Sequence, residues 1–113
     1  MFDSVTSVAL QSALDGLSAR QRAIAENIAN INTPGYTAKR IQFEQALAQS
    51  VKEGSGHVTP TEARSLEPTQ LNGNNVNLDT ETLSNIDTLL RYQFAAQAVG
   101  QEVAAVRAAL RTA

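Results

Sequence analysis

The side chains able to do chemistry are few and scattered. His57, the single histidine, lies between Gly56 and Val58 with no second histidine and no carboxylate beside it. A lone imidazole in such a stretch neither completes a metal site nor shares acid–base work, and is read as solvated. The chain has no cysteine, which removes thiolate ligands, thiol nucleophiles and disulfides together. Carboxylates stand singly, and Gly54-Ser55-Gly56 is a short flexible run without the pattern of a nucleotide loop. Arg20 and Arg22 have Asp15 and Glu26 a turn away on either side, so exposed intrahelical pairing accounts for them. We therefore expect no catalytic residue, no cofactor, no metal ligand and no small-molecule substrate. A net charge of −2 offers no field for nucleic acid. No apolar run approaches the roughly 18 residues of a membrane span. Met1-Phe2-Asp3-Ser4-Val5 lacks the basic region and apolar stretch of a cleavable signal.

What remains is architecture. With 113 residues there is room for one domain, and with 18 alanines against five aromatics its core is built of small side chains. Composition divides the chain into three parts. Residues 1–31 and 81–113 are free of proline, whereas residues 32–80 hold all three prolines and four of the six glycines. The expected fold is all-α: two long helices form an antiparallel coiled-coil-like hairpin, joined by a mostly irregular middle segment.

The first helix carries Leu10, Leu14, Leu17, Ile24, Ile28 and Ile31 at alternating spacings of four and three, with Gln21 interrupting. Spacing of that kind makes one seam along a helix. Beside it runs a row of small residues that includes Ala9, Ala13, Gly16 and Ala23. In the last helix Leu89, Tyr92, Val99, Val103, Val106 and Leu110 make the corresponding seam, flanked by Ala95, Ala98, Ala105 and Ala109. A hairpin of two helices buries one seam and leaves the other row for a partner, so the small-residue rows are expected to be assembly surfaces. The alternative is that the middle segment covers them. With Ile31 level with Leu83, Gly16 falls opposite Ala98 and near Gly100, which predicts a close crossing.

The joins are specific. Thr33-Pro34-Gly35-Tyr36 places Pro and Gly as a type II turn requires, and Asn30 and Asn32 suit a helix end with left-handed backbone. Phe43, Leu47 and Val51, four apart, predict a short helix. Asp79 is the expected N-cap of the last helix, with Glu81 in its first turn and Leu78 and Leu83 as a hydrophobic staple. Residues 54–74 read as a loop or a disordered linker.

The run Asn27-Ile28-Ala29-Asn30-Ile31-Asn32-Thr33-Pro34-Gly35-Tyr36-Thr37-Ala38 closely resembles the N-terminal signature of bacterial flagellar rod and hook proteins. A second run, Gly73-Asn74-Asn75-Val76-Asn77-Leu78-Asp79-Thr80-Glu81, followed by Leu90-Arg91-Tyr92-Gln93, is similar to the proximal-rod B type of that axial family. Two departures stand out. There is no acid between Ala38 and Glu44, where the family tends to carry one after the Ala-Arg that follows Tyr and another two positions on, and Asn77 stands where Asp is common. The resemblance implies a structural subunit of the basal-body rod, the shaft that transmits torque for motility. It implies packing with copies of itself and other rod subunits in a helical assembly. It also implies passage through the flagellar type III export apparatus without a cleaved signal. The residues alone leave a second reading open: a soluble helical adaptor or export chaperone that binds a helical client.

Overall fold

Ser4 starts the structure where its side chain can do most. Its Oγ accepts the Ser7 N–H at 3.1 Å, satisfying one of the orphan donors of the helix that follows, α1 (Val5–Ala29). A computed structural model describes residues 4–112; residues 1–3 of the expected first arm and residue 113 of the last lie outside the described residues. After α1 come a short strand β1 (Lys39–Gln42), a helix α2 (Glu44–Lys52), a second strand β2 (Thr61–Arg64) and the long helix α3 (Leu78–Thr112). The protein is 66 Å long but only 26 by 14 Å across.

The two long helices run antiparallel. Ser4 Oγ donates to Glu102 Oε1 at 3.4 Å at one end, and Asn27 Nδ2 donates to Glu81 Oε2 at 3.1 Å at the other. This register differs from the expected one by roughly two turns, because the buried hydrogen bond between Asn27 and Glu81, and not the apolar spacing, sets the level. The expected crossing of Gly16 and Gly100 is accordingly absent. Gly16 lies under Phe43, where an added Cβ would meet the ring at 2.5 Å, while Gly100 faces open space.

The chain is mostly helical but not all-α. Lys39–Gln42 and Thr61–Arg64 pair antiparallel, with Arg40 opposite Ala63 and Ile41 opposite Glu62. Four-residue strands with one apolar position each, Ile41 and Ala63, carry no alternation to read. The pairing is extended at both ends: just beyond the strands Ser65 N–H donates to Ala38 O at 2.7 Å, and at the other end of the ribbon Thr61 Oγ1 donates to Gln42 O at 3.3 Å.

The helix ends also depart from expectation. α1 stops at Ala29, so Ile31 lies beyond it. Asn30 has φ −106° and caps through its side chain, Nδ2 donating to Glu26 O at 2.8 Å; among the described residues only glycines have positive φ. α3 begins at Leu78, and Asn77 is its cap, Oδ1 accepting the Thr80 N–H at 3.2 Å. Asp79 lies in the first turn, where its charge suits the helix dipole. Leu78 and Leu83 are both exposed and form no staple.

The middle segment covers α1 instead of hanging free. Gly56 is buried so closely against α1 that a Cβ would sit 2.7 Å from Val5 O. Ser12 Oγ donates to Gly56 O at 2.9 Å and accepts the Val58 N–H at 3.2 Å. Ser50 Oγ donates to His57 O at 2.9 Å. The buried apolar positions are Leu17, Ala23, Ile24, Ala38, Phe43, Val76 and Ala95.

Two glycine substitutions separate these environments. Gly16→Ala should destabilise by about 1–3 kcal/mol, because overpacking against Phe43 outweighs the roughly 1 kcal/mol gain in helix propensity. Gly100→Ala should be neutral or stabilise by up to about 1 kcal/mol. Circular-dichroism melts of the two variants beside the parent read the opposite signs; a stabilised Gly16→Ala would contradict the packing.

Candidate functional site: a polar junction and the outer face of the last helix

The two motifs meet at one end of the helix pair. Asn27, fully buried near the end of α1, uses both side-chain atoms twice. Its Oδ1 accepts from Tyr36 Oη at 3.1 Å and from Lys39 N–H at 2.8 Å. Its Nδ2 donates to Lys39 O at 3.0 Å and to Glu81 Oε2 at 3.1 Å. Tyr36 leaves the turn that starts at Thr33, where Gly35 has φ 75° and the Tyr36 N–H returns to Thr33 O at 3.2 Å. A glycine is needed there, since other residues resist that φ. Thr33 Oγ1 donates to Asn30 Oδ1 at 3.0 Å, and Pro34 stays exposed.

The second motif clasps this turn. Asn74 Nδ2 donates to Asn30 O and to Thr33 O, both at 2.9 Å, and its Oδ1 accepts the Val76 N–H at 2.7 Å. Asn75 Oδ1 accepts the Ala38 N–H at 2.8 Å, while its Nδ2 donates to Ser65 O and Glu67 O at 3.1 Å each. Gly35 N–H donates to Asn72 O at 2.8 Å, and the backbones approach so closely that a Cβ on Gly73 would stand 3.2 Å from Gly35 Cα. Buried backbone groups of an irregular segment need partners, and asparagine supplies a donor and an acceptor in one short side chain.

Glu81 completes the junction and is 0% exposed. Arg40 Nη1 donates to its Oε1 at 2.6 Å and Asn27 Nδ2 to its Oε2. Sequence reasoning placed Glu81 only in a first turn and missed the pair, because Arg40 stands 41 positions away. Around it lie further ion pairs. Lys39 Nζ bonds Glu26, and Arg20 Nη2 donates to Glu44 Oε2 at 3.0 Å and to Ile41 O at 2.6 Å. Arg20 also covers the Phe43 ring at 4.9 Å, and Arg64 the Tyr36 ring at 5.2 Å. The hydrogen bond and charge of Lys39 hold the Glu26 carboxyl below its ordinary value of 4.5, and Glu26 holds Lys39 above 10.5.

Burial sorts the expected seam and assembly rows differently from their spacing. Leu17 and Ile24 are buried; Leu10, Leu14, Ile31, Tyr92, Val99, Val103 and Val106 are half-buried. Ile28 and Leu89 are exposed at the edge of the pair, and Leu110 is 73% exposed because α3 runs on past the level of Ser4. Of the rows expected to face outward, Gly16, Ala23 and Ala95 are buried within the chain, and Ala9, Ala13 and Ala98 are half-buried. Phe43, α2 and the segment around Gly56 occupy that side of α1. Only Ala105 and Ala109 are exposed.

The open apolar surface lies elsewhere. Leu83, Ile86, Leu90 and Phe94 recur at three and four on the side of α3 opposite the buried Glu81, Thr88 and Ala95. All four are exposed, Phe94 to 77%. The periodicity is present in the sequence, but α3 is apolar at two sets of positions, and the more regular set reads as the seam. Next to Phe94 an apolar groove of 350 Å³ opens between α1, α2 and α3. Among the described residues no three His, Cys, Asp or Glu stand as a metal site would need, and no helix is long and apolar enough to cross a membrane. His57 is exposed, and only its backbone atoms take part in the bonds described.

Comparison with known proteins agrees with this picture. A family model described as flagella basal body rod protein matches residues 9–37. The flagellar basal body rod protein FlgB of Salmonella typhimurium is 30% identical over 115 residues, covering 82% of this chain and 83% of its own. FlgB of Bacillus subtilis is 33% identical, covering 74% and 76%, and that of Borreliella burgdorferi 28%, covering 70% and 76%.

The junction carries two measurable expectations. Arg40→Met leaves a buried carboxylate short of its cation and should destabilise by about 3 kcal/mol, while adding Glu81→Leu should restore most of the loss. Urea unfolding of the two variants tests this; a double variant no better than the single would contradict it. The Lys39–Glu26 pair stabilises across neutral pH. Its contribution is lost as pH falls through the lowered Glu26 value, and again as pH rises through the raised Lys39 value. In Lys39→Met, the Glu26 carboxyl followed by NMR should titrate closer to 4.5.

Proposed function

Because the chain belongs to the FlgB family of flagellar basal-body rod proteins, and is a structural component of that rod and not an enzyme, we propose that it assembles there through the outer face of α3. The adaptor alternative gives way to this family membership. The observation that carries the proposal is the exposed stripe Leu83, Ile86, Leu90 and Phe94, a helix seam with no partner inside the chain. A neighbouring rod subunit or a second copy that covers it extends the coiled-coil-like packing of α1 and α3 from one molecule to the next. Ala105 and Ala109 on the far part of α3 let a further helix approach closely. Repeated helix contacts of this kind make a shaft stiff enough to transmit torque. The subunit reaches its place through the flagellar type III export apparatus.

Supporting this division of labour, the junction residues Asn27, Asn74, Asn75 and Glu81 are spent on intramolecular bonds and leave few groups for a partner. The stripe is the reverse case, each of its four side chains being more than half exposed.

Ile86→Glu and Leu90→Glu place a charge on the outer face and should leave the fold and melting temperature nearly unchanged. Each should remove the chain from isolated basal bodies and abolish swimming when it replaces the natural protein. Normal motility with both substitutions present contradicts the proposal, and so does a melting temperature lowered as far as that of a core variant.

A further inference from the structure

We propose that β2 pairs edge to edge with β2 of a second copy, antiparallel and centred on Ala63, so that Glu62 of each copy stands opposite Arg64 of the other. The two-stranded ribbon has edges of different kinds. Ser65 N–H reaches Ala38 O, which makes Ala38 and Ser65 a hydrogen-bonded pair. Alternation along an antiparallel ladder then makes Arg40 with Ala63, and Gln42 with Thr61, the next such pairs. Lys39 and Ile41 therefore turn their backbone groups outward from β1, as Glu62 and Arg64 do from β2. α1 answers the first edge: Asn27 bonds both backbone groups of Lys39, and Arg20 donates to Ile41 O. The second edge has no such cover. Among the described residues no bond reaches the outward backbone groups of Glu62 or Arg64, and all four residues of β2 are exposed.

Charge selects the second copy as the occupant. An antiparallel strand that satisfies the outward groups sets one residue opposite Glu62 and the residue two positions earlier opposite Arg64. Its matching sequence is an acid, any residue, then a base. Of the 11 acidic residues in this chain only Glu62 is followed two positions on by Lys or Arg. Sliding the pair by one step in either direction sets Glu62 against Glu62 or Arg64 against Arg64, and like charges directly opposite repel. Neither charge is taken up within the chain. Arg64 Nη1 donates to the neutral Thr37 O at 2.7 Å and its guanidinium covers Tyr36, with no carboxylate paired to it among the described residues. Glu62 has Lys39 Nζ at 3.8 Å, but that ammonium is bonded to Glu26. A two-fold contact closes on itself, whereas a rod grows by contacts that stay open. The pair therefore belongs to subunits outside the rod, a placement that rests on the rod reading above. There it hides a strand edge that would template pairing with other chains.

The chain has no cysteine, so one introduced thiol reports the contact. In the paired register Ala63 faces Ala63 of the other copy at a non-hydrogen-bonded position, with Cα atoms about 4.5 Å apart, within reach of a disulfide. Purified Ala63→Cys should oxidise to a dimer and nothing longer. Thr61→Cys, also exposed on β2, stands roughly 13 Å from its own counterpart and should stay monomeric. Adding Glu62→Arg to Ala63→Cys should slow cross-linking about tenfold, because both charge pairs become repulsive; adding Arg64→Glu should do the same. Mixing those two double variants should restore it, since each supplies the charge that the other needs. If circular dichroism shows that Arg64→Glu impairs folding, a mixture of Thr61→Cys and Ser65→Cys decides instead, and should give a dimer that neither gives alone. Equal cross-linking of Ala63→Cys and Thr61→Cys, no dimer from Ala63→Cys, or no rescue by mixing overturns the pairing. A cross-link only to a chain of another size does so too. Basal bodies containing Ala63→Cys should yield no dimer, and a dimer found there overturns the placement. A dimer from purified protein together with absence of the unmodified chain from basal bodies sinks the rod reading and leaves the pairing standing.

Discussion

A carboxylate with no exposed surface must be answered by donors or it expels the elements around it, and Glu81 is answered from two directions. Arg40 reaches it from β1 and Asn27 from α1. Both donors are themselves fixed. Asn27 is tied to Tyr36 and both backbone groups of Lys39, and so to the turn after α1. The level at which α1 meets α3, the exit of the chain from α1 and the placement of β1 are thus consequences of satisfying one charge. Ala-rich helices offer little apolar relief along their length and slide at small cost, so a directional polar contact is what can define a single register. Buried polar residues fix register in paired helices elsewhere for the same reason.

Helical content and the main turn were legible because they are local properties. The spacing of leucine and isoleucine in α1, the Pro-Gly pair at 34–35 and the four-residue repeat of Phe43, Leu47 and Val51 each specify backbone without reference to distant residues. Register and strand pairing were not legible, since they rest on Glu81 with Arg40, Asn75 with Ala38 and Ser12 with Gly56, contacts between residues far apart. The asparagines of both motifs could be seen as markers, but not as one another's partners. Asn77, which departs from the common Asp, caps α3 as an Asp would, because either side chain accepts a backbone N–H.

The two sides of α3 obey different rules. On the inner side Glu81, Thr88 and Ala95 are polar or small, and closeness to α1 is what matters. On the outer side the residues are larger and more apolar than those facing the core. A reading that ranks positions by hydrophobicity therefore inverts inside and outside here. That inversion is physical: a subunit built to be surrounded keeps part of its apolar surface for its neighbours, and holds itself together by polar bonds that neighbours do not disturb.

The helix pair is fastened unevenly. At the junction end, buried hydrogen bonds tie α1, the turn, β1 and the start of α3; at the other end, among the described residues, an exposed hydrogen bond between Ser4 and Glu102 spans the pair, and α3 continues past it. Mechanically this is a cantilever. Sideways force on the molecule is reacted at the clamped junction and appears as displacement at residues 103–112, so bending compliance is concentrated where the chain has least of its own structure to resist it. Rigidity of that tip is then a property conferred by whatever grips it, and a single subunit out of its lattice is a softer object than the same subunit within it.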